Sequence, residues 1–218
     1  MTNESVPPNS RKTMLAFAKC LPNLCSLTGL FCSIIGIYFA IRGIFPAAMI
    51  GMLWAIFFDW SDGRLARRQK DRTKEQQLIG SQFDSLIDIV SFGIGPAVLL
   101  LSYGQFSPWY LPGAFVIVSA GVIRLSYFNV FGLAADSTYQ GMAIDNNGII
   151  LAFAFLFNGL VSQAFFAVLL YALIIGLATL NVAPIKTPKL SGRWYYAIVL
   201  YVLVLTAIYS WRLLCASG

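Results

Sequence analysis

Two pairs of aspartates interrupt an apolar part of the sequence: Asp59 with Asp62, and Asp84 with Asp88. On helices, residues three or four positions apart share a face, so each pair can grip one cation. An ionised carboxylate inside a membrane span costs ~2.5–3.5 kcal/mol, and a bound cation offsets that cost. Carboxylate oxygens favour Mg²⁺ or Mn²⁺ over zinc or copper. The pattern therefore predicts a site for two divalent cations.

Such a site indicates transfer of a phosphoryl group. Two hard cations held close together can clamp both the attacking and the leaving oxygens of an in-line displacement at phosphorus. The chain has no histidine, so any general base must come from a carboxylate, tyrosine, lysine or cysteine. A carboxylate beside the metals is the preferred candidate.

Small and basic residues flank the aspartates. Gly63, Ala66 and Gly80 leave room for a bulky ligand to approach the backbone, although small residues also serve tight helix packing in membranes. Arg67 and Arg68 could neutralise a diphosphate, and the spacing favours Arg67. Both arginines also fit the excess of positive charge that is typical of cytoplasmic loops.

The elements that position these residues are predicted to be membrane helices. Of the 218 residues, 58% are hydrophobic and 11% are charged, which excludes soluble globular classes. Seven apolar runs approach the ~20 residues that cross hydrocarbon. They are 21–42, 46–67, 79–102, 108–131, 143–161, 163–184 and 194–214.

The predicted fold is thus an all-α integral membrane bundle with six core transmembrane helices and a seventh, 194–214, beyond that core. We expect a single membrane domain over residues 21–214, with the aspartate frame at 59–88. A cytoplasmic tail, 1–20, precedes it. Residues 11–20 pair basic with apolar side chains and form either an interfacial helix or an extension of the first span.

Basic residues orient the spans. All of the fifteen except Arg42 and Arg212 fall on one side of the predicted spans, and that side is expected to be cytoplasmic. The short basic loop makes spans two and three antiparallel, with Asp59 and Asp88 each ~13 Å from its edges at ~1.5 Å per residue. The two acidic pairs can meet at one depth, and the site is expected to face the cytoplasm. The net charge of +6 then reflects topology and attraction to anionic membrane lipids, and nucleic acid is not an expected partner.

The frame Asp59-x-x-Asp62-Gly63-x-x-Ala66-Arg67, followed by Gly80-x-x-x-Asp84-x-x-x-Asp88, resembles the signature of the CDP-alcohol phosphotransferase family at all eight fixed positions. The resemblance covers roughly residues 20–145. The spacer after Arg67 has twelve residues, where the family usually has eight, and the extra residues are expected to lengthen a cytoplasmic loop, 68–79.

Two further stretches, 84–97 and 124–129, look like the phosphatidylserine synthases of that family. Downstream the chain departs from them: it reads Gly141-Met142-Ala143 where those enzymes carry Gly-Leu-Pro. Asp145, Asn146 and Asn147 follow. Asp145 or Asn146 can cap the next helix, or this polar group can contact the acceptor.

The resemblance implies that CDP-diacylglycerol binds with its diphosphate on two Mg²⁺ or Mn²⁺ ions and that CMP leaves. By similarity, Asp59, Asp62 and Asp84 hold both ions, and Asp88 binds one and takes the acceptor proton. The CDP-lipid site then comprises Asp59, Asp62, Gly63, Ala66, Arg67, Gly80 and Asp84. The resemblance also suggests a homodimer, with spans three and four as candidates for the contact.

The acceptor is expected to be a small polar alcohol, with L-serine favoured. Arg124, Asn129 and Ser91 are the expected acceptor-binding residues. Arg124 could instead form a structural salt bridge with one of the aspartates, and Ser91 could bond to its own helix.

Three alternatives remain open from the sequence. The same chemistry could use inositol, inositol phosphate, glycerol phosphate or choline as acceptor. A cation transporter also carries intramembrane aspartates, but it needs access from both sides, whereas these four cluster at one entrance. A non-catalytic scaffold would not need the complete set of carboxylates.

Overall fold

The computed structural model of the protein describes residues 13–69, 72–132, 138–188 and 192–217. Residues 1–12 of the predicted tail, and Lys70 and Asp71 of the predicted loop, lie outside the described residues. The described part is helical apart from loops and one short pair of antiparallel strands, β1 (Thr138–Gln140) and β2 (Lys186–Pro188).

Nine α-helices follow one another along the described chain. They are α1 (Met14–Ala18), α2 (Leu21–Ile41), α3 (Phe45–Arg68), α4 (Lys74–Asp88), α5 (Gly95–Tyr103), α6 (Leu111–Phe131), α7 (Asp145–Ala154), α8 (Gln163–Val182) and α9 (Trp194–Ser217). A π-helical segment, Ile89–Ile94, joins α4 to α5. Short 3₁₀ turns, Pro108–Tyr110 and Phe155–Phe157, precede α6 and follow α7.

Five described helical segments are long and apolar enough to cross a membrane. They are Leu21–Ile41, Lys74–Tyr103, Pro108–Phe131, Gln163–Val182 and Trp194–Cys215. The multi-pass prediction is therefore confirmed, but the predicted count of six spans plus a seventh is not reached by length and composition. α3 is missing from the five because its second half is polar, and the predicted span 143–161 is a shorter apolar helix, Asp145–Phe157.

The predicted loop 68–79 is wrong in extent, because α4 already begins at Lys74. Thr73 and Gln76 form a reciprocal cap in which the Thr73 hydroxyl accepts from the Gln76 backbone N–H, 3.3 Å away. The Gln76 side chain accepts in return from the Thr73 N–H at 3.0 Å. Such a box satisfies two backbone donors that the first turn leaves unpaired. The extra residues of the spacer therefore lengthen the helix that carries Asp84 and Asp88.

At the N-terminus, Met14–Ala18 forms one short helix with Met14 and Leu15 largely exposed. Its position at a membrane interface stays a prediction.

Glycines bring α2 and α3 into close contact. A Cβ atom placed on Gly51 would lie 2.6 Å from the Cα of Gly36 and 2.8 Å from the Cys32 carbonyl oxygen. Only glycine fits such a contact between backbones. The packing fixes α3 along α2 and holds the end of α3 that carries Asp59 and Asp62.

The helix changes its winding directly after Asp88. Pro96 has no N–H to donate to the Phe92 carbonyl four residues earlier, and Gly95 N–H bonds to the Val90 carbonyl five residues earlier. Single π turns of this kind are frequent at functional sites. Asp88 is therefore the last residue of a regular α-helix, and the backbone changes its winding at the next residue.

The C-terminal helix α9 packs against α3 and bonds to α7. The hydroxyls of Tyr201 and Tyr209 donate to the carbonyls of Ile149 and Ala152, each at 2.6 Å. Arg212 donates to the Leu156 carbonyl at 2.6 Å. The bonds to Ala152 and Leu156 satisfy acceptors in the last turn of α7 and in the 3₁₀ turn after it, and all three bonds tie α9 to this part of the bundle.

Candidate active site

The acidic residues of α3 and α4 meet in space. One carboxylate oxygen from each of Asp59, Asp84 and Asp88 lies within 4.8 Å of the others. Asp62 lies one turn beyond Asp59, is 6% exposed and accepts a hydrogen bond from the Ser26 hydroxyl of α2. The antiparallel arrangement inferred from the spacing thus brings both pairs to one place.

The chemistry of this cluster fits a hard divalent cation. Several carboxylates so close together repel one another unless positive charge lies between them. Oδ1 of Asp88 is buried and has no hydrogen-bond partner among the described residues, and a buried polar atom of that kind calls for a ligand. Oxygen donors without histidine suit Mg²⁺ or Mn²⁺.

A cavity of about 370 Å³ opens beside the carboxylates. Among the residues that line it are seven expected from the sequence, namely Asp59, Asp62, Gly63, Arg67, Asp84, Asp88 and Arg124. Gly63 leaves space that the Arg67 guanidinium approaches, since a Cβ on Gly63 would lie 3.5 Å from Nη1 of Arg67. Anionic and cationic groups therefore face one volume.

Two residues expected to bind the CDP-lipid lie outside this lining. Gly80 sits beside the Arg72 guanidinium, which a Cβ at position 80 would meet, and it also lies near Asn23. Its lack of a side chain makes room for Arg72. Ala66 is half-buried and does not line the cavity either.

Two expected acceptor residues also lie outside the lining. Ser91 is buried and pairs with Ser33 of α2, with 2.6 Å between the hydroxyl oxygens. Asn129 is exposed, and its Oδ1 accepts from the Ser85 hydroxyl at 3.0 Å. Since Ser85 lines the cavity, that hydroxyl connects Asn129 to the site.

Arg124 is the expected acceptor residue that does reach the cavity. It is 7% exposed, and its Nε donates to the Met142 carbonyl at 3.0 Å. The guanidinium carbon lies 5.5 Å from the centre of the Phe128 ring. A buried cation is thus held in a fixed place at the cavity wall.

Sequence reasoning gave too little weight to Asp145 and overlooked Trp60. Both line the cavity, and the Trp60 indole N–H donates to Oδ2 of Asp145 at 2.9 Å. The N-cap position of α7 belongs to Ile144, so neither Asp145 nor Asn146 occupies the capping position that we considered. Gly148 lets α7 approach, since a Cβ there would lie 3.1 Å from side-chain atoms of both Ile56 and Phe92.

A family model described as CDP-alcohol phosphatidyltransferase matches residues 19–216. The chain belongs to this family. The match includes α9, the stretch that we placed beyond the six-span family core. The family is one of transferases, which agrees with the phosphoryl-transfer chemistry inferred from the aspartates.

This phosphatidyltransferase family member is also similar to named proteins of other organisms. It is 31% identical over 147 residues to archaetidylserine synthase of Methanothermobacter thermautotrophicus, a match that covers 67% of this chain and 60% of that protein. It is 31% identical over 156 residues to CDP-diacylglycerol–serine O-phosphatidyltransferase of Methanocaldococcus jannaschii, covering 71% and 70%. A Bacillus subtilis protein of the latter name is 28% identical over 162 residues, covering 68% and 83%.

Proposed function

We propose that this protein transfers the phosphatidyl group of CDP-diacylglycerol to the hydroxyl of L-serine and releases CMP. The observation that carries the proposal is the meeting of Asp59, Asp84 and Asp88 in a cavity that also holds Arg67 and Arg124. Family membership and the names of the relatives support the same reaction.

In this proposal Asp59, Asp62, Asp84 and Asp88 hold two divalent cations, Mg²⁺ or Mn²⁺. When bound, the ions offset the carboxylate charge, orient the diphosphate and make the phosphorus more electrophilic. Arg67, beside the space at Gly63, adds positive charge for the same diphosphate.

The proposed reaction forms one bond to phosphorus and breaks another, and a group that lines the cavity accepts the proton. The serine oxygen forms a bond to the phosphorus that carries the diacylglycerol, and the bond from that phosphorus to the oxygen of CMP breaks. Asp88 accepts the proton of the attacking hydroxyl. CMP leaves with the former bridging oxygen and its electron pair.

The setting in the membrane is part of the proposal. The acyl chains of the donor lie in the bilayer beside the apolar helices, and the site faces the cytoplasm because the basic residues gather on that side. A homodimer and a single membrane domain over residues 21–214 remain parts of the same proposal.

The decisive experiment uses purified protein in mixed micelles with CDP-diacylglycerol, Mn²⁺ and one acceptor at a time: serine, inositol, inositol phosphate, glycerol phosphate or choline. We expect CMP and phosphatidylserine with serine, and no release of CMP when a chelator removes the ion. A new lipid from another acceptor would replace serine in the assignment. Cation flux in proteoliposomes without nucleotide, together with no release of CMP, would favour a transporter instead.

A further inference from the structure

The cavity wall carries one charge pair that the aspartate frame does not use. Arg124 of α6 and Asp145 of α7 both line the cavity, and their charges attract one another. Asp145 is the fifth carboxylate at the site, and no step of the proposed transfer requires it.

Each member of the pair is held by a neutral group at one position. Trp60 donates to Oδ2 of Asp145, and Nε of Arg124 donates to the carbonyl of Met142. A neutral indole or carbonyl orients a charge but does not cancel it. The bond to Met142 uses only Nε, which is one of five N–H donors of the guanidinium. Met142 and Asp145 belong to one short stretch of chain. The two charges are therefore held in fixed positions at the wall of the same cavity.

The balance of charges at the site separates Arg124 and Asp145 from the four aspartates of the frame. Two divalent cations match the four frame carboxylates, and Arg67 faces the diphosphate of the donor. What remains is one cation and one anion, which together have no net charge. A ligand that replaces their mutual attraction without leaving a buried charge unpaired must itself carry both signs.

From this arrangement we propose that Asp145 binds the ammonium group of the acceptor while Arg124 binds its carboxylate. The pair then selects an amino-acid alcohol over acceptors that carry one charge or none. This inference rests on the proposed function and names Asp145 as a specificity-determining residue. Choline offers only a cation, glycerol phosphate only an anion, and inositol neither.

Three acceptors that share a primary hydroxyl test the pairing. L-Serine carries both charged groups, ethanolamine lacks the carboxylate and 3-hydroxypropanoate lacks the ammonium. We expect Asp145→Asn to raise the KM for serine and ethanolamine about ten- to hundredfold, as loss of a charge-assisted hydrogen bond implies. The KM for 3-hydroxypropanoate should stay the same or fall, and the KM for CDP-diacylglycerol should not change.

Arg124→Gln should give the complementary pattern. The KM should rise for serine and 3-hydroxypropanoate but not for ethanolamine. Glu75→Gln, which removes an exposed carboxylate in the first turn of α4, is the matched control and should leave all three values unchanged. Trp60→Phe keeps the aromatic packing but removes the indole N–H that orients Asp145. It should therefore raise the KM for serine and ethanolamine selectively. This variant provides the test if Asp145→Asn fails to fold.

Equal effects of Asp145→Asn on all three acceptors, or a rise in the KM for CDP-diacylglycerol, would overturn the pairing and assign Asp145 to the frame or to packing. Failure of the proposed function gives a different result, because the wild-type protein would then form no phosphatidylserine. Normal wild-type turnover of serine with no selectivity change in any variant overturns only the pairing.

Discussion

The side-chain amide of Asn147 donates from Nδ2 to the backbone oxygen of Phe92, 3.1 Å away. Phe92 is the residue whose carbonyl loses its helical partner at Pro96. Asn147 is fully buried and lies two residues after Asp145. One hydrogen bond thus joins the backbone that follows Asp88 to the helix that presents Asp145.

Replacement of Asn147 by Leu should destabilise the protein by about 1–3 kcal/mol, because a buried carbonyl loses its donor. We expect a lower unfolding temperature in detergent and a reduced rate of CMP release, since the π segment positions Asp88. The same substitution at the adjacent Asn146, which is half-exposed and lines the cavity, is the stability control. Equal unfolding temperatures for Asn147→Leu and wild type would show that the bond does not stabilise the fold.

Asp88→Asn should abolish the release of CMP, by about 10²–10⁴-fold or more, because an amide cannot accept the hydroxyl proton. Binding of CDP-diacylglycerol should persist, since the other three carboxylates remain. Single-turnover release of labelled CMP and equilibrium binding of the labelled donor separate the two effects. Turnover at the wild-type rate would rule out Asp88 as the base.

Gly51→Ala should disrupt the contact between α2 and α3. The new Cβ would meet backbone atoms of Gly36 and Cys32 at 2.6 and 2.8 Å, and backbone cannot yield as a flexible side chain can. We expect a loss of stability of a few kcal/mol, in the range of overpacked cores.

Gly176→Ala in α8 is the matched control for this change. Among the described residues, no atom beyond its own stretch of helix lies within 4 Å of the place that the new methyl group would take. The substitution should be neutral or stabilise the helix by up to ~1 kcal/mol. Thermal unfolding of the two variants under identical conditions gives the comparison. A similar unfolding temperature for both would contradict the tight helix contact.

Tyr209→Phe should lower stability by about 1–3 kcal/mol, because the Ala152 carbonyl loses a buried donor at 2.6 Å. Tyr38→Phe removes the same hydroxyl from a side chain that is 54% exposed, and it should have little effect. Unfolding in detergent measures both changes. If the two variants unfold alike, α9 does not hold α7 through this bond.

The meeting of the carboxylates could be predicted because it depends on local spacing. Residues three or four positions apart share a helix face, and a short connection makes α3 and α4 antiparallel. Both facts are readable without tertiary information. We predicted a loop up to residue 79, but Thr73-x-x-Gln76 has the pattern of a capping box, and this signal could have placed the start of α4 correctly.

The place of Asp145 could not be read in the same way. It depends on how closely α7 approaches α3, which the contacts of Gly148 with Ile56 and Phe92 decide. The predicted span 143–161 failed for a similar reason: hydropathy does not show that the regular helix ends at Ala154. The pairing of Ser91 with Ser33 could not be read either, because Ser33 lies on a helix distant in sequence.

The polar end of α3 also bears on how the chain enters the bilayer. α2 ends at Ile41 and α3 begins at Phe45, so only three residues separate a strongly apolar helix from one that carries two carboxylates. A helix of that composition partitions poorly into lipid by itself. We therefore expect α3 to insert together with α2 as a helical hairpin, in which the Ser26 hydroxyl is already available to bond to Asp62.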